Sequence, residues 1–105
     1  MTTNHFVYRL IPPRPTFAMD MSEAEQAIMG QHAAYWTDLF EHGRAVLFGV
    51  VMDQGGAWGL AVVEAEAEDE VRAIASADPA VTSRLCTFEV GVMPQATVRP
   101  RQAAA

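Results

Sequence analysis

The sequence predicts an α+β domain whose elements run strand, helix, strand, strand, helix, strand. Three observations lead there. Apolar, β-prone runs occupy residues 5–11, 44–52, 58–64 and 85–93; two helical patterns with acidic starts fall between the first and second runs and between the third and fourth; and a glycine-bearing turn joins the middle pair. With 105 residues, half of them apolar, the chain has material for one core and little room for a second domain.

Residues 5–11 carry Phe6, Val7, Tyr8, Leu10 and Ile11, and Pro12, Pro13 and Pro15 then stop a strand or helix from continuing. Ser22 with Glu25 forms a capping-box pattern, so a helix is expected to begin there. At about 100° per residue, Ala24, Tyr35 and Leu39 fall within about 40° of Ile28, with Glu23, Gln26, Thr37 and Glu41 opposite. Gly43 ends the helix. The turn at residues 53–57 holds Gly55 and Gly56, which supply the positive φ angles of a hairpin. Glu66, Glu68, Asp69 and Glu70 place negative charge where a second helix begins; Val71, Ile74 and Ala75 form its narrow apolar face, and Asp78-Pro79 breaks it. In the last strand Cys86, Phe88, Val90 and Val92 alternate with Thr87 and Glu89. The domain is expected to span residues 1–93, with 94–105 as a frayed tail.

This order is the split βαβ arrangement of ferredoxin-like βαββαβ folds, an antiparallel sheet with two helices on one face. Strands two and three depart from simple alternation. Ala45, Val46, Leu47, Phe48, Val50, Val51 and Met52 are apolar on both parities, as are Trp58, Leu60, Ala61, Val62 and Val63, whereas a sheet with one wet face alternates. Both helices lie on one side, so the other face is expected to pack on a second copy, giving a homodimer of the dimeric α+β barrel type.

Thirteen acidic residues oppose seven basic ones, for a formal charge of −6, which disfavours nucleic-acid and anionic-membrane partners. All seven basic residues are arginine; without lysine there is no Schiff-base chemistry and no Walker-type phosphate loop. No apolar run approaches the roughly 20 residues of a membrane span, and a cytoplasmic setting is expected. The single cysteine, Cys86, permits no internal disulfide or thiolate zinc site and is read as an inert buried side chain. His5, His32 and His42 are not read as a metal site, because the last two stand roughly 15 Å apart along a helix. Gly55-Gly56 lacks a dinucleotide fingerprint, and the acidic run 64–70 lacks the ligand alternation of a calcium loop.

The candidate chemistry centres on His32, about 40° from Ile28 and so directed inward. It reads either as a structural histidine bonded to nearby backbone or as a general base. Asp78 continues the apolar face of the second helix at its C-terminal end, where the dipole disfavours a carboxylate. It either caps a turn opened by Pro79 or turns inward to orient His32, fixing the tautomer and stabilising the imidazolium without need of a metal. Tyr35, one turn from His32, is core or lines a pocket, and Trp36 is core edge. Arg9, on the parity of Val7 and Ile11, either ion-pairs or meets an anionic substrate. Trp58 is a further candidate for substrate contact.

The segments Gln31-His32-Ala33-Ala34-Tyr35, His42-Gly43-Arg44-Ala45-Val46-Leu47-Phe48-Gly49, Gly55-Gly56-Ala57-Trp58-Gly59 and Ala77-Asp78-Pro79-Ala80-Val81 resemble, in order and spacing, the YCII-related (YciI-like) family of small dimeric α+β barrel proteins. The resemblance covers most of residues 5–93. It implies a His–Asp dyad at His32 and Asp78, a small-molecule substrate and no cofactor or metal; at least one member class removes chloride from a hydroxylated aromatic intermediate. The chain departs from the family in having Gly49-Val50 for Gly-Pro, Ala80 for an aromatic and Ser83-Arg84 for a small residue with glycine. Ala80 and Arg84 thereby become candidate pocket-wall positions. The expected function is proton transfer on a small oxygenated or aromatic metabolite, by elimination or isomerisation. The alternatives are a non-catalytic ligand-binding or accessory module and a cofactor-free oxygenase.

Overall fold

The computed structural model describes residues 3–100. Four antiparallel strands form one sheet in the order β2-β3-β1-β4: β1 (Asn4–Ile11), β2 (Ala45–Asp53), β3 (Gly56–Ala65) and β4 (Thr87–Met93). The connecting helices are α2 (Glu23–Glu41) and α3 (Glu68–Ser76), joined by two one-turn helices, α1 (Phe17–Asp20) and α4 (Pro79–Thr82). The βαββαβ expectation is met. The two short turns add to it at the places where prolines interrupt the pattern. Residues 96–100 carry neither helix nor strand, and positions 101–105 of the expected tail lie outside the described residues.

The helix starts and stops follow local chemistry. Ser22 Oγ accepts from the Glu25 N–H, and Glu25 Oε1 accepts from the Ser22 N–H, closing the capping box. Gly43 leaves α2 with φ +78°. Strand β4 starts at Thr87 rather than 85, because the Cys86 N–H donates back to the Ala80 carbonyl and ties that residue to α4.

Register decides which residues share a face. Phe6, Tyr8 and Leu10 stand opposite Val63, Ala61 and Gly59, and this side packs against Trp36, Val71, Ala75 and Ala80 of the helices in a single core. Trp36 is its anchor, stacked on Tyr8 with ring centroids 4.7 Å apart. The buried side of α2 runs through Met29, His32 and Trp36, drawn toward that ring pair, and Ala24, expected on the stripe, is exposed. The opposite sheet face carries His5, Val7 and Arg9 against Glu64, Val62 and Leu60, and the helices' buried residues all belong to the other side.

Segment 12–21 folds over the end of the β2–β3 hairpin. Arg14 holds it, donating to Asp20 Oδ1 (2.8 Å) and to both Glu25 oxygens (2.8 and 2.9 Å). Gly56 allows the approach: its φ is +112°, and a Cβ there would meet the Pro15 carbonyl oxygen at 2.5 Å. Gly56→Ala is therefore expected to cost about 1–3 kcal/mol in urea unfolding, from backbone strain and the displaced segment. A loss below about 0.5 kcal/mol would show that the segment yields freely.

Candidate active site

Three elements converge on one carboxylate. Asp78 sits between α3 and α4 in an extended conformation (φ −61°, ψ 128°), with Pro79 opening the turn behind it. Its side chain is fully buried. The Ala80 N–H donates to Oδ1 at 2.9 Å; the Tyr8 hydroxyl from β1 and Trp36 Nε1 from α2 donate to Oδ2 at 2.8 and 2.7 Å. His32 Nδ1, also on α2, lies 2.8 Å from Oδ2 and 2.9 Å from Oδ1. Asp78 thus caps the turn and faces His32 at once: the two readings of this residue are compatible, because its oxygens have enough lone pairs for both.

The electrostatics follow from this geometry. Burial pushes the Asp78 carboxyl upward, but the bonds from His32 and Trp36, the His32 charge and the Ala80 N–H outweigh it and hold the group below the ordinary 3.8. Burial first, then the charge of Asp78 and the bond to it, drives the Tyr8 hydroxyl far above the usual phenol range, so it remains a donor. Burial and the same carboxylate push the Cys86 thiol up to about 11, so it remains a thiol, in keeping with its reading as inert. With Asp78 ionised, the neutral form of the imidazole carries its proton on Nδ1 and a lone pair on Nε2. Among the described residues no protein group engages Nε2.

His32 lines a cavity of about 300 Å³ between sheet and helices. Tyr8, Trp36, Phe48, Trp58 and Cys86 contribute to its lining, as do Phe17, Ala18 and Met21 of segment 12–21. A carboxylate with a depressed pKa also stabilises the fold. The stability that Asp78 contributes is full above its unfolded value near 3.8 and is lost as pH falls through its lower folded value. Glu25, held at about 2 first by Arg14 and then by the Ser22 N–H, acts in the same direction below its ordinary 4.5. The urea midpoint is therefore expected to drop as pH is lowered from about 5 toward 2. A midpoint independent of pH across that window would contradict these pairings.

Not every residue singled out in the sequence meets the cavity. Trp58 lines it, and its Nε1 donates to Asp53 Oδ2 at 2.8 Å. Tyr35 does not line it: its hydroxyl donates to the Ile74 carbonyl at 2.7 Å and ties α2 to α3. Ala80 is buried behind Asp78, whose oxygen its N–H meets, and is absent from the wall. Arg84 is exposed at a φ of +65° just after α4, away from the cavity. Arg9 lies on the opposite sheet face, its guanidinium 4.5 Å over the Trp58 ring, because its parity is that of Val7 and not of Tyr8. The three histidines are dispersed: His5 pairs in register with Glu64 on that outer face, and His42 caps the end of α2.

Two donors escaped the sequence reading, Tyr8 and Trp36. The signal for Tyr8 was present in its parity, since a hydroxyl on the inward side of a strand must find a partner. Nothing in the sequence pointed to that partner being Asp78, 70 positions away.

An α+β sheet with this helix placement and a histidine facing a buried aspartate define a small-molecule-sized site on a ferredoxin-like scaffold. The chain matches the YCII-related domain over residues 6–95 and belongs to that family. No curated protein matches it by sequence. Among solved structures it is similar to 5-chloro-2-hydroxyhydroquinone dehydrochlorinase (TftG) from Burkholderia phenoliruptrix AC1100, in complex with 2,5-dihydroxybenzoquinone, with a TM-score of 0.55 and 19% identity over 86% of this chain and 91% of that one. It is also similar to SnoaB, a cofactor-independent oxygenase from Streptomyces nogalater, with a TM-score of 0.46 and 16% identity over 96% and 100%. The likeness to the dehydrochlorinase is one of fold, the antiparallel α+β arrangement described above.

Proposed function

We propose that the chain is a small cofactor-independent enzyme in which His32 moves a proton on a small oxygenated or aromatic metabolite while Asp78 orients and stabilises the imidazole. The observation that carries this reading is the Nδ1 contact at 2.8 Å to a fully buried carboxylate, with Nε2 left free at a largely apolar cavity. Asp78 favours the Nδ1–H tautomer, and the imidazolium formed when Nε2 takes a proton becomes the cationic half of an ion pair. In elimination, the proton passes to Nε2, its bonding electrons form the new π bond, and the leaving group departs with its own pair. In isomerisation the same proton returns to a different atom. Elimination is favoured by the likeness to a dehydrochlorinase. The test is chloride release from 5-chloro-2-hydroxyhydroquinone, with solvent-deuterium exchange as a second readout. Neither signal from the wild-type chain, or equal signals from His32→Ala, would overturn the proposal.

The working form is a homodimer, with residues 1–93 as the folded unit and 94–105 as a tail. Val7, Leu60 and Val62 lie on a face no helix covers, and Leu47 on the same side is 45% exposed. Such a face favours burial against its own copy. Light scattering at micromolar concentration is expected to return twice the chain mass; the mass of one chain would remove the dimer. Among the described residues no helix is long and apolar enough to cross a membrane; our reading is a cytoplasmic setting, a reducing compartment that suits the free Cys86.

A further inference from the structure

Among the described residues the cavity wall contains no arginine, aspartate or glutamate, and the chain has no lysine. Arg14 is engaged by Asp20 and Glu25, Arg44 by Glu70 and Arg72 by Glu68, Arg9 lies over Trp58 on the outer face, and Arg84 is exposed just after α4 and is not a wall residue. Behind His32 stands the buried Asp78 carboxylate, which is negative, and the Arg14 guanidinium 5.2 Å over the wall ring Phe17 is already matched by Asp20 and Glu25. Once His32 is protonated, the ring and Asp78 together carry no net charge. An incoming carboxylate or phosphate would therefore be buried without a net positive partner, at a cost of several kcal/mol.

The side-chain donors of the wall are occupied as well. The Tyr8 hydroxyl and Trp36 Nε1 both serve Asp78, and Trp58 Nε1 serves Asp53. Apart from His32 itself, no side-chain N–H or neutral hydroxyl of the described wall residues remains free to hold a localised oxyanion. When a ligand gives its proton to Nε2, the electron pair left behind must be spread by the ligand itself, over a conjugated system. The wall offers rings to lie against: Tyr8, Phe17, Trp36 and Phe48.

We infer that the cavity selects an uncharged, conjugated ring ligand presenting one acidic O–H or C–H to His32 Nε2, and that it rejects carboxylates and phosphates. This rests on the reading of His32 as the proton acceptor, and the test separates the two. Trp36 in the wall makes quenching of intrinsic fluorescence a report of occupancy. The probes are 4-nitrophenol, 4-nitroanisole and 4-nitrobenzoate, titrated at a mildly acidic pH where the phenol is neutral and the benzoate is charged. The two uncharged probes are expected to bind at least about tenfold more tightly than 4-nitrobenzoate, with the phenol ahead of the anisole. Ala33→Arg, which adds a cation to the wall, is expected to close the gap by strengthening 4-nitrobenzoate. In His32→Leu the advantage of phenol over anisole should vanish while the benzoate stays weak. If that advantage persists, the role of His32 fails and the exclusion of anions stands. Wild-type affinity for 4-nitrobenzoate equal to that for 4-nitrophenol, or no quenching by any probe at millimolar concentration, would overturn the selection.

Discussion

Asp78→Ala is expected to lower the stability of the fold by about 3–5 kcal/mol. The residue is fully buried, and its two oxygens serve the Tyr8 hydroxyl, Trp36 Nε1, the Ala80 N–H and His32 Nδ1. Removing the carboxylate leaves those donors without an acceptor in a place water reaches poorly, and each orphaned donor costs on the order of 1–3 kcal/mol before relaxation. The one-turn helix α4 also loses its cap. A domain of this size has a total stability of roughly 5–15 kcal/mol, so the variant would stand near the edge of unfolding. Tyr8→Phe provides the scale: it keeps the stack on Trp36, removes one bond, and is expected to cost only about 1 kcal/mol. Urea titrations of the three proteins decide it. An Asp78→Ala loss no larger than that of Tyr8→Phe would mean that solvent enters and satisfies the cluster.

His32→Ala is expected to behave in the opposite way, costing activity rather than fold. Truncating the imidazole removes one of several partners of Asp78 and leaves the capping bond, Tyr8 and Trp36 in place. If His32 is the proton acceptor, turnover should fall by about 10²–10⁴, the usual contribution of a positioned general base. Circular dichroism should stay that of the wild type. The comparison with Asp78→Asn is informative, because an amide is not held by charge against the imidazolium and its N–H₂ group opposes the donors around it. That variant should lose both activity and some stability, whereas His32→Ala should lose chiefly activity. A fall in turnover smaller than about tenfold would remove His32 from the chemistry.

Much of the scaffold was legible because it is written in short-range patterns. The capping box at Ser22 and Glu25, the stop at Gly43 and the 53–56 hairpin are each determined within a few residues and appear as read, except that of the two turn glycines only Gly56 takes a positive φ. The half of the site carried by α2 was legible for the same reason, since helical periodicity alone turns His32 inward. Asp78 was ambiguous because both of its roles use local-looking chemistry, and only one of them is local. The candidates that miss the cavity show the limit of parity and spacing. Tyr35 points inward as expected, yet its hydroxyl finds the Ile74 carbonyl of the neighbouring helix first. Arg9 has a definite parity, but which parity faces the helices depends on the sheet as a whole.

Composition and periodicity were enough for the α+β class, the order of the elements, the inward histidine and the absence of lysine chemistry. These depend on the residue's own side chain and on neighbours within a turn or a strand pair. The tertiary fold alone decided that Tyr8 and Trp36 join His32 on one buried carboxylate, with 70, 42 and 46 positions separating them from Asp78. Hydrogen bonds reach about 3 Å and are indifferent to distance along the chain, so partners contributed by three separate elements leave no periodic trace for a sequence to display.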